Sequence, residues 1–83
     1  MKRHQCTFKQ IFEIPTRSDI KWSDVVSLIR HLGGSIKYGS GSRVRVILRD
    51  QSIVIHTPHP RKELKKYAVV MLRDLLEESG ERL

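Results

Sequence analysis

The sequence holds one cysteine, three prolines and five aromatic residues (one Trp, two Tyr, two Phe) in 83 positions. A lone Cys6 cannot close an internal disulfide, so a stapled secreted scaffold is excluded. No Cys/His spacing matches a structural zinc site, and neither a metal nor a cofactor is expected. Nothing approaches the roughly 20 apolar residues of a membrane span. Met1-Lys2-Arg3-His4 is basic, as a signal peptide begins, but the apolar stretch of about 7 or more residues that should follow is missing. Cytoplasm is the expected compartment, without a membrane partner. The chain also lacks the length for two cores, since a polypeptide of this size buries only about 60 to 65% of its unfolded surface. A multi-domain enzyme is thereby excluded.

Acidic residues are scarce as well. Nine Asp and Glu stand against 16 Lys and Arg, a formal net charge of +7, and the pI is near 10.1. Such an excess seeks a polyanion, nucleic acid first, although a membrane surface or an acidic protein would satisfy the same charge. The excess is uneven: residues 1–66 carry 14 basic and 5 acidic side chains, residues 67–83 carry 2 and 4. With 39% apolar residues the chain is expected to fold.

Periodicity sets out the elements. Thr7 and Gln10 fit a capping box, with Phe8, Ile11 and Phe12 on one side of a two-turn helix that Pro15 ends. Residues 1–16 therefore read as an N-terminal appendage and 17–83 as the domain proper. Trp22, Val25, Val26, Ile29 and Leu32 have the spacing of an amphipathic helix, with Ser23 or Asp19 as N-cap and Gly33-Gly34 as stop. From Ser35 the period becomes 2. A strand over Ser35 to Tyr38, a Gly39-Ser40-Gly41-Ser42 turn, a strand over Arg43 to Arg49, a tight turn at Asp50-Gln51 and a strand over Ser52 to Thr57 make an antiparallel meander. Pro58-His59-Pro60 then starts a helix with a buried stripe of Leu64, Ala68, Met71, Leu72, Leu75 and Leu76, stopped by Gly80. The expected fold is α+β: an α-β-β-β-α unit with both helices on one face of a three-stranded sheet, preceded by a short extra helix.

A sheet covered on one side leaves the other open, and here that face carries Arg43, Arg45, Arg49 and His56, with Gly41 and Ser42 at its margin. Alternate strand positions lie roughly 7 Å apart, close to the phosphate spacing of a nucleic-acid strand. The plainer reading is a solvated edge guarded by charge. Among the histidines, His4 sits in a terminus expected to fray and His31 in a helix's last turn, and neither is expected to do chemistry. His56 and His59 flank rigid prolines, which suits general acid/base work, with helix capping as the structural alternative. Cys6 has no basic partner nearby in sequence, and Gly39-Ser40-Gly41 lacks the further glycines and the Lys of a phosphate loop. Trp22 falls on a helix stripe and reads as core; Tyr38 and Tyr67, which could otherwise stack bases, are left outside the site.

Several segments together resemble the HicA family of bacterial type II toxin-antitoxin systems. They are Ile20-Lys21-Trp22-Ser23-Asp24-Val25, the helix end His31-Leu32-Gly33-Gly34, Gly41-Ser42 at a strand start, and His56-Thr57-Pro58-His59-Pro60. The resemblance spans about residues 16 to 80. It implies a double-stranded-RNA-binding-domain-like fold and an mRNA-cleaving toxin, a metal-independent mRNA interferase, inhibited by a HicB-like antitoxin. One departure stands out: the family's Gly-Ser pair is followed, at once or one residue later, by a histidine held to be catalytic, whereas here Arg43 or Val44 occupies that position. Arg stays protonated and cannot act as a base, but it binds phosphate. His56 and His59 are then the catalytic candidates, and Gly41, Ser42, Arg43, Arg45 and Arg49 the RNA-binding ones. Three readings stay open: an mRNA-cleaving toxin, a non-catalytic RNA-binding module that has lost the histidine, and a basic domain that docks an acidic protein.

Overall fold

A computed structural model of the chain describes residues 2–57 and 62–81. Among these, three helices and one sheet form: α1 (Lys2–Ile11), α2 (Trp22–His31), β1 (Ser35–Tyr38), β2 (Arg43–Leu48), β3 (Gln51–His56) and α3 (Lys66–Glu78). The strands pair antiparallel in the order β1-β2-β3. This is the expected α+β architecture, an α-β-β-β-α unit of the double-stranded-RNA-binding-domain kind behind an extra helix. Pro58, His59 and Pro60 lie outside the described residues.

Alternation along β2 organises the core. Val44, Val46 and Leu48 are buried on one face while Arg43 and Arg45 are exposed on the other. Ile55 of β3 joins the buried side, and the helices close over it with Val25, Leu28 and Ile29 of α2 and Ala68, Val69, Leu72, Leu75 and Leu76 of α3. Each fully buried aliphatic side chain contributes about 1.5–3 kcal/mol.

The N-terminal helix differs from the sequence expectation. It starts at Lys2, and Thr7 lies buried inside it, its hydroxyl donating to the Arg3 carbonyl at 3.2 Å instead of capping a terminus. Burial explains the extension: Phe8 and Ile11 enter the common core, which outweighs a cap worth about 1 kcal/mol. His4 is not frayed. Its Nε2 lies 2.9 Å from the Ser27 hydroxyl of α2, and its ring stacks on His31 with centroids 4.3 Å apart. At the far end of α1, Arg73 of α3 donates to the Ile11 and Glu13 carbonyls and to the Thr16 hydroxyl at 3.0–3.1 Å.

Neither expected cap starts α2. Lys21 is the extended N-cap residue and no side chain caps it; Asp19 is held instead by Arg17 through two bonds of 2.8 Å, which keep its carboxyl below the usual range. The helix start is fixed by backbone. Lys21 bridges Glu63, the Trp22 N–H donates to the Lys62 carbonyl at 3.0 Å and the Leu64 N–H to the Ile20 carbonyl at 2.8 Å. The same bridge delays α3, which begins at Lys66 and not directly after Pro60, with Leu64 buried ahead of it. The β2–β3 turn is Arg49-Asp50, and Gln51 already pairs with Leu48. Arg49 has a left-handed φ of 57° and its guanidinium pairs with Glu81, whose side chain is largely buried.

Gly33 and Gly34 serve different ends. Gly33 takes the left-handed φ of 89° that closes α2. At Gly34 the constraint is space: a Cβ would stand 2.5 Å from the Ile47 carbonyl oxygen and 2.8 Å from Ile29 Cγ2. Gly34→Ala is expected to destabilise the fold by about 1–3 kcal/mol, read as a fall in the chemical-denaturation midpoint. A pH effect is expected at His4, whose ring is driven toward the neutral form by burial first and by His31 second, below its ordinary 6.5. The folded-state pKa is depressed, so this stabilisation is complete above 6.5 and is lost as pH falls through the lower folded value. Thermal melts between pH 7 and 5 should show a loss of Tm that is smaller in His4→Phe.

Candidate nucleic-acid interface

The open face of the sheet is built by register. Lys37 of β1 stands opposite Arg45 of β2, which stands opposite Val54 of β3. One row toward the β1–β2 loop, Arg43 faces His56, and on its other side Gly39 donates its N–H to the Arg43 carbonyl at 2.9 Å. Ser35, Ile47 and Ser52 make the row beyond. Lys37, Arg43, Arg45 and His56 are all exposed, and these rows contain no Asp or Glu.

Arginines sort by their partners. Arg3 pairs with Asp24, Arg17 with Glu13 and Asp19, and Arg49 with Glu81. Arg43 and Arg45 have no carboxylate partner among the described residues; Arg45 reaches only the Ser52 hydroxyl, at 3.3 Å. Like charges directly across a strand pair are destabilising, so Lys37 against Arg45 is an arrangement that an anion relieves. Guanidiniums and an ammonium at successive sheet positions offer charge-assisted bonds to phosphate oxygens.

The end of the sheet that carries His56 is tied down. Its N–H donates to the Tyr67 hydroxyl at 3.2 Å, and Thr57 donates to the Ser42 carbonyl through its N–H at 2.7 Å and its hydroxyl at 3.1 Å. Gly41, with a left-handed φ of 67°, turns the chain so that Ser42 meets this pair. A neutral imidazole accepts a proton and an imidazolium returns one, so an exposed His opposite an Arg has the chemistry to serve as an acid/base group beside a bound phosphate.

Of the residues singled out from sequence, Gly41, Ser42, Arg43, Arg45 and His56 are brought together. Arg49 is not, because the turn at the other end of β2 takes it roughly 20 Å away at about 3.3 Å per residue. His59 lies outside the described residues. Sequence reasoning missed Lys37 and the part played by Tyr67. Pairing the Ser35–Tyr38 strand against Arg43–Leu48 exposes the first; the second is a contact over 11 positions with no local pattern.

Among the described residues no helix is long and apolar enough to cross a membrane. No curated protein and no solved structure matches the chain. A family model described as the HicA toxin of bacterial toxin-antitoxin matches residues 22–80, which take in α2, the whole sheet and α3. On that match the chain belongs to the HicA toxins of bacterial toxin-antitoxin systems.

Proposed function

We propose that the protein binds mRNA across the open sheet face and cleaves it, and that a HicB-like antitoxin in the same cytoplasm neutralises it by covering that face. The observation that carries the reading is the cross-strand pair of Arg43 and His56 in sheet rows that hold no carboxylate among the described residues. Arg43, Arg45 and Lys37 hold backbone phosphate and offset the negative charge that builds up on it during cleavage. Neutral His56 takes the proton of a ribose 2′-hydroxyl, whose oxygen attacks the adjacent phosphorus. The 5′-oxygen leaves and must be protonated, a role that falls to His59, three residues further along. Products are a 2′,3′-cyclic phosphate and a 5′-hydroxyl, with no net change in protons and no metal required.

One observation favours a second reading. Arg43-Val44 follows Gly41-Ser42, where the resemblance to HicA toxins implies a histidine at once or one residue later, and a protonated Arg supports binding better than proton transfer. The two readings part at His56. On the cleavage reading, expression without antitoxin arrests bacterial growth, and His56→Ala lowers RNA cleavage by about 10²- to 10⁴-fold while RNA affinity stays within about twofold. Growth unaffected by soluble protein, or cleavage unchanged in His56→Ala, removes His56 as the acid/base group.

Phosphate contact has its own signature. Three contacts to single-stranded RNA give a log–log dependence of affinity on salt with a slope of about −2, and Arg43→Ala or Lys37→Ala should each reduce its magnitude by about 0.7. Arg49→Ala, which breaks the pair with Glu81, should lower stability and leave the slope unchanged.

A further inference from the structure

Cations without carboxylate partners also stand outside the sheet. Backbone contacts gather four lysines where α2 and α3 begin: Lys21 bridges Glu63, the Trp22 N–H donates to the Lys62 carbonyl, and Lys65 and Lys66 open α3. All four are exposed, and none joins an ion pair among the described residues. The acidic side chains nearby are committed or set back. Asp19 is held by Arg17 and Asp24 by Arg3, while Glu63 is half-buried. This cluster adjoins the end of the sheet that carries His56. Lys66 is followed by Tyr67, whose hydroxyl accepts the His56 N–H, and Thr57 reaches across to Ser42 beside Arg43. Two basic areas therefore meet at His56, one on the open face of the sheet and one at the helix starts.

We propose that the lysines at the helix starts are a second phosphate-binding surface, and that one RNA strand runs from the open sheet face past His56 onto Lys21, Lys62, Lys65 and Lys66. The inference rests on the RNA-binding reading above and deepens it: the strand is held on both sides of His56. Lysine chemistry favours RNA over an acidic protein as the occupant. An ammonium on a flexible stem binds phosphate as a point charge, whereas the cores of protein interfaces are depleted of lysine and enriched in aromatic side chains. The length of the RNA then sets the salt dependence. A strand too short to leave the sheet keeps the slope of about −2, while four further contacts bring a longer strand to about −5.

The test measures the affinity of the full chain against salt for a tetramer and a dodecamer of single-stranded 2′-O-methyl RNA, whose blocked 2′-oxygen prevents cleavage. A variant carrying Lys21→Ala, Lys62→Ala, Lys65→Ala and Lys66→Ala should return the dodecamer to the tetramer's slope. Between about 50 and about 200 mM salt it should therefore lose roughly 50-fold less affinity for the dodecamer than the parent chain does. No side chain caps either helix start, so the variant should keep the native amide spectrum. If it does not, Lys65→Ala and Lys66→Ala singly decide, each removing about 0.7 from the magnitude of the slope. An unchanged dodecamer slope in the folded variants overturns the lysine surface, and the sheet reading stands if Arg43→Ala still lowers it. A slope lowered by the lysine variants but not by Arg43→Ala supports phosphate binding by the lysines and overturns the path across the sheet together with the reading it rests on. Failure of both oligonucleotides to bind overturns both. Poly-glutamate that displaces the dodecamer at equal charge concentration overturns the choice of RNA over an acidic protein.

Discussion

The central strand carries side chains that cannot exchange faces, and the rest of the structure is arranged around that fact. Val44, Val46 and Leu48 meet both helices through the core, and the intervening Arg43 and Arg45 point to solvent. Because strand side chains alternate with a period of two, slipping β2 by one residue would push both guanidiniums into the core. Each unpaired buried ion costs several kcal/mol, more than any one core aliphatic contributes. Core packing and the polarity of the open face are therefore one constraint, and whatever holds the hydrophobic layer together also aims the cations.

Charge is distributed in keeping with this division. Outside the sheet, most of the described arginines are matched to carboxylates or carbonyls: Arg3 with Asp24, Arg17 with Glu13 and Asp19, Arg49 with Glu81, Arg73 with the end of α1 and the chain after it; Arg30 in the last turn of α2 is the exception among the described residues. On the sheet, Arg43 and Arg45 have no such partner among the described residues. Exposed pairs stabilise a fold by only a few tenths to about 1 kcal/mol, so the sheet loses little stability by going without them. What it gains is a surface whose positive potential is not cancelled locally.

Much of this was legible in the sequence because its signals are local. The alternation of Arg43 to Val46 in β2, the helical spacing from Trp22 to Leu32 and the double glycine after it each have one sensible conformation. The failures share a cause in contacts between distant residues. Alternation continues formally to Arg49, and only the pairing of Leu48 with Gln51 and the partner Glu81, 32 positions away, reveal that the strand has already ended. Thr7 resembles a cap until Phe8 and Ile11 are seen to be buried by helices encoded later. Lys37 sits in a four-residue strand too short to advertise a face, and it acquires one from its register with Arg45. The start of α3 is set by a backbone bridge to Lys21, for which proline placement offers no hint.

Arg73 has a consequence for where the folding unit begins. The family match starts at residue 22, but this guanidinium reaches back to three acceptors between residues 11 and 16, while His4 and Phe8 fasten the same segment to α2 and the core. A chain trimmed to the matched region would strand a partly buried cation and uncover the apolar wall that Ile11 closes. The cooperative unit is thus larger than the stretch that carries family resemblance, and the first helix belongs to the molecule's stability even though it lies outside the part by which its relatives are known.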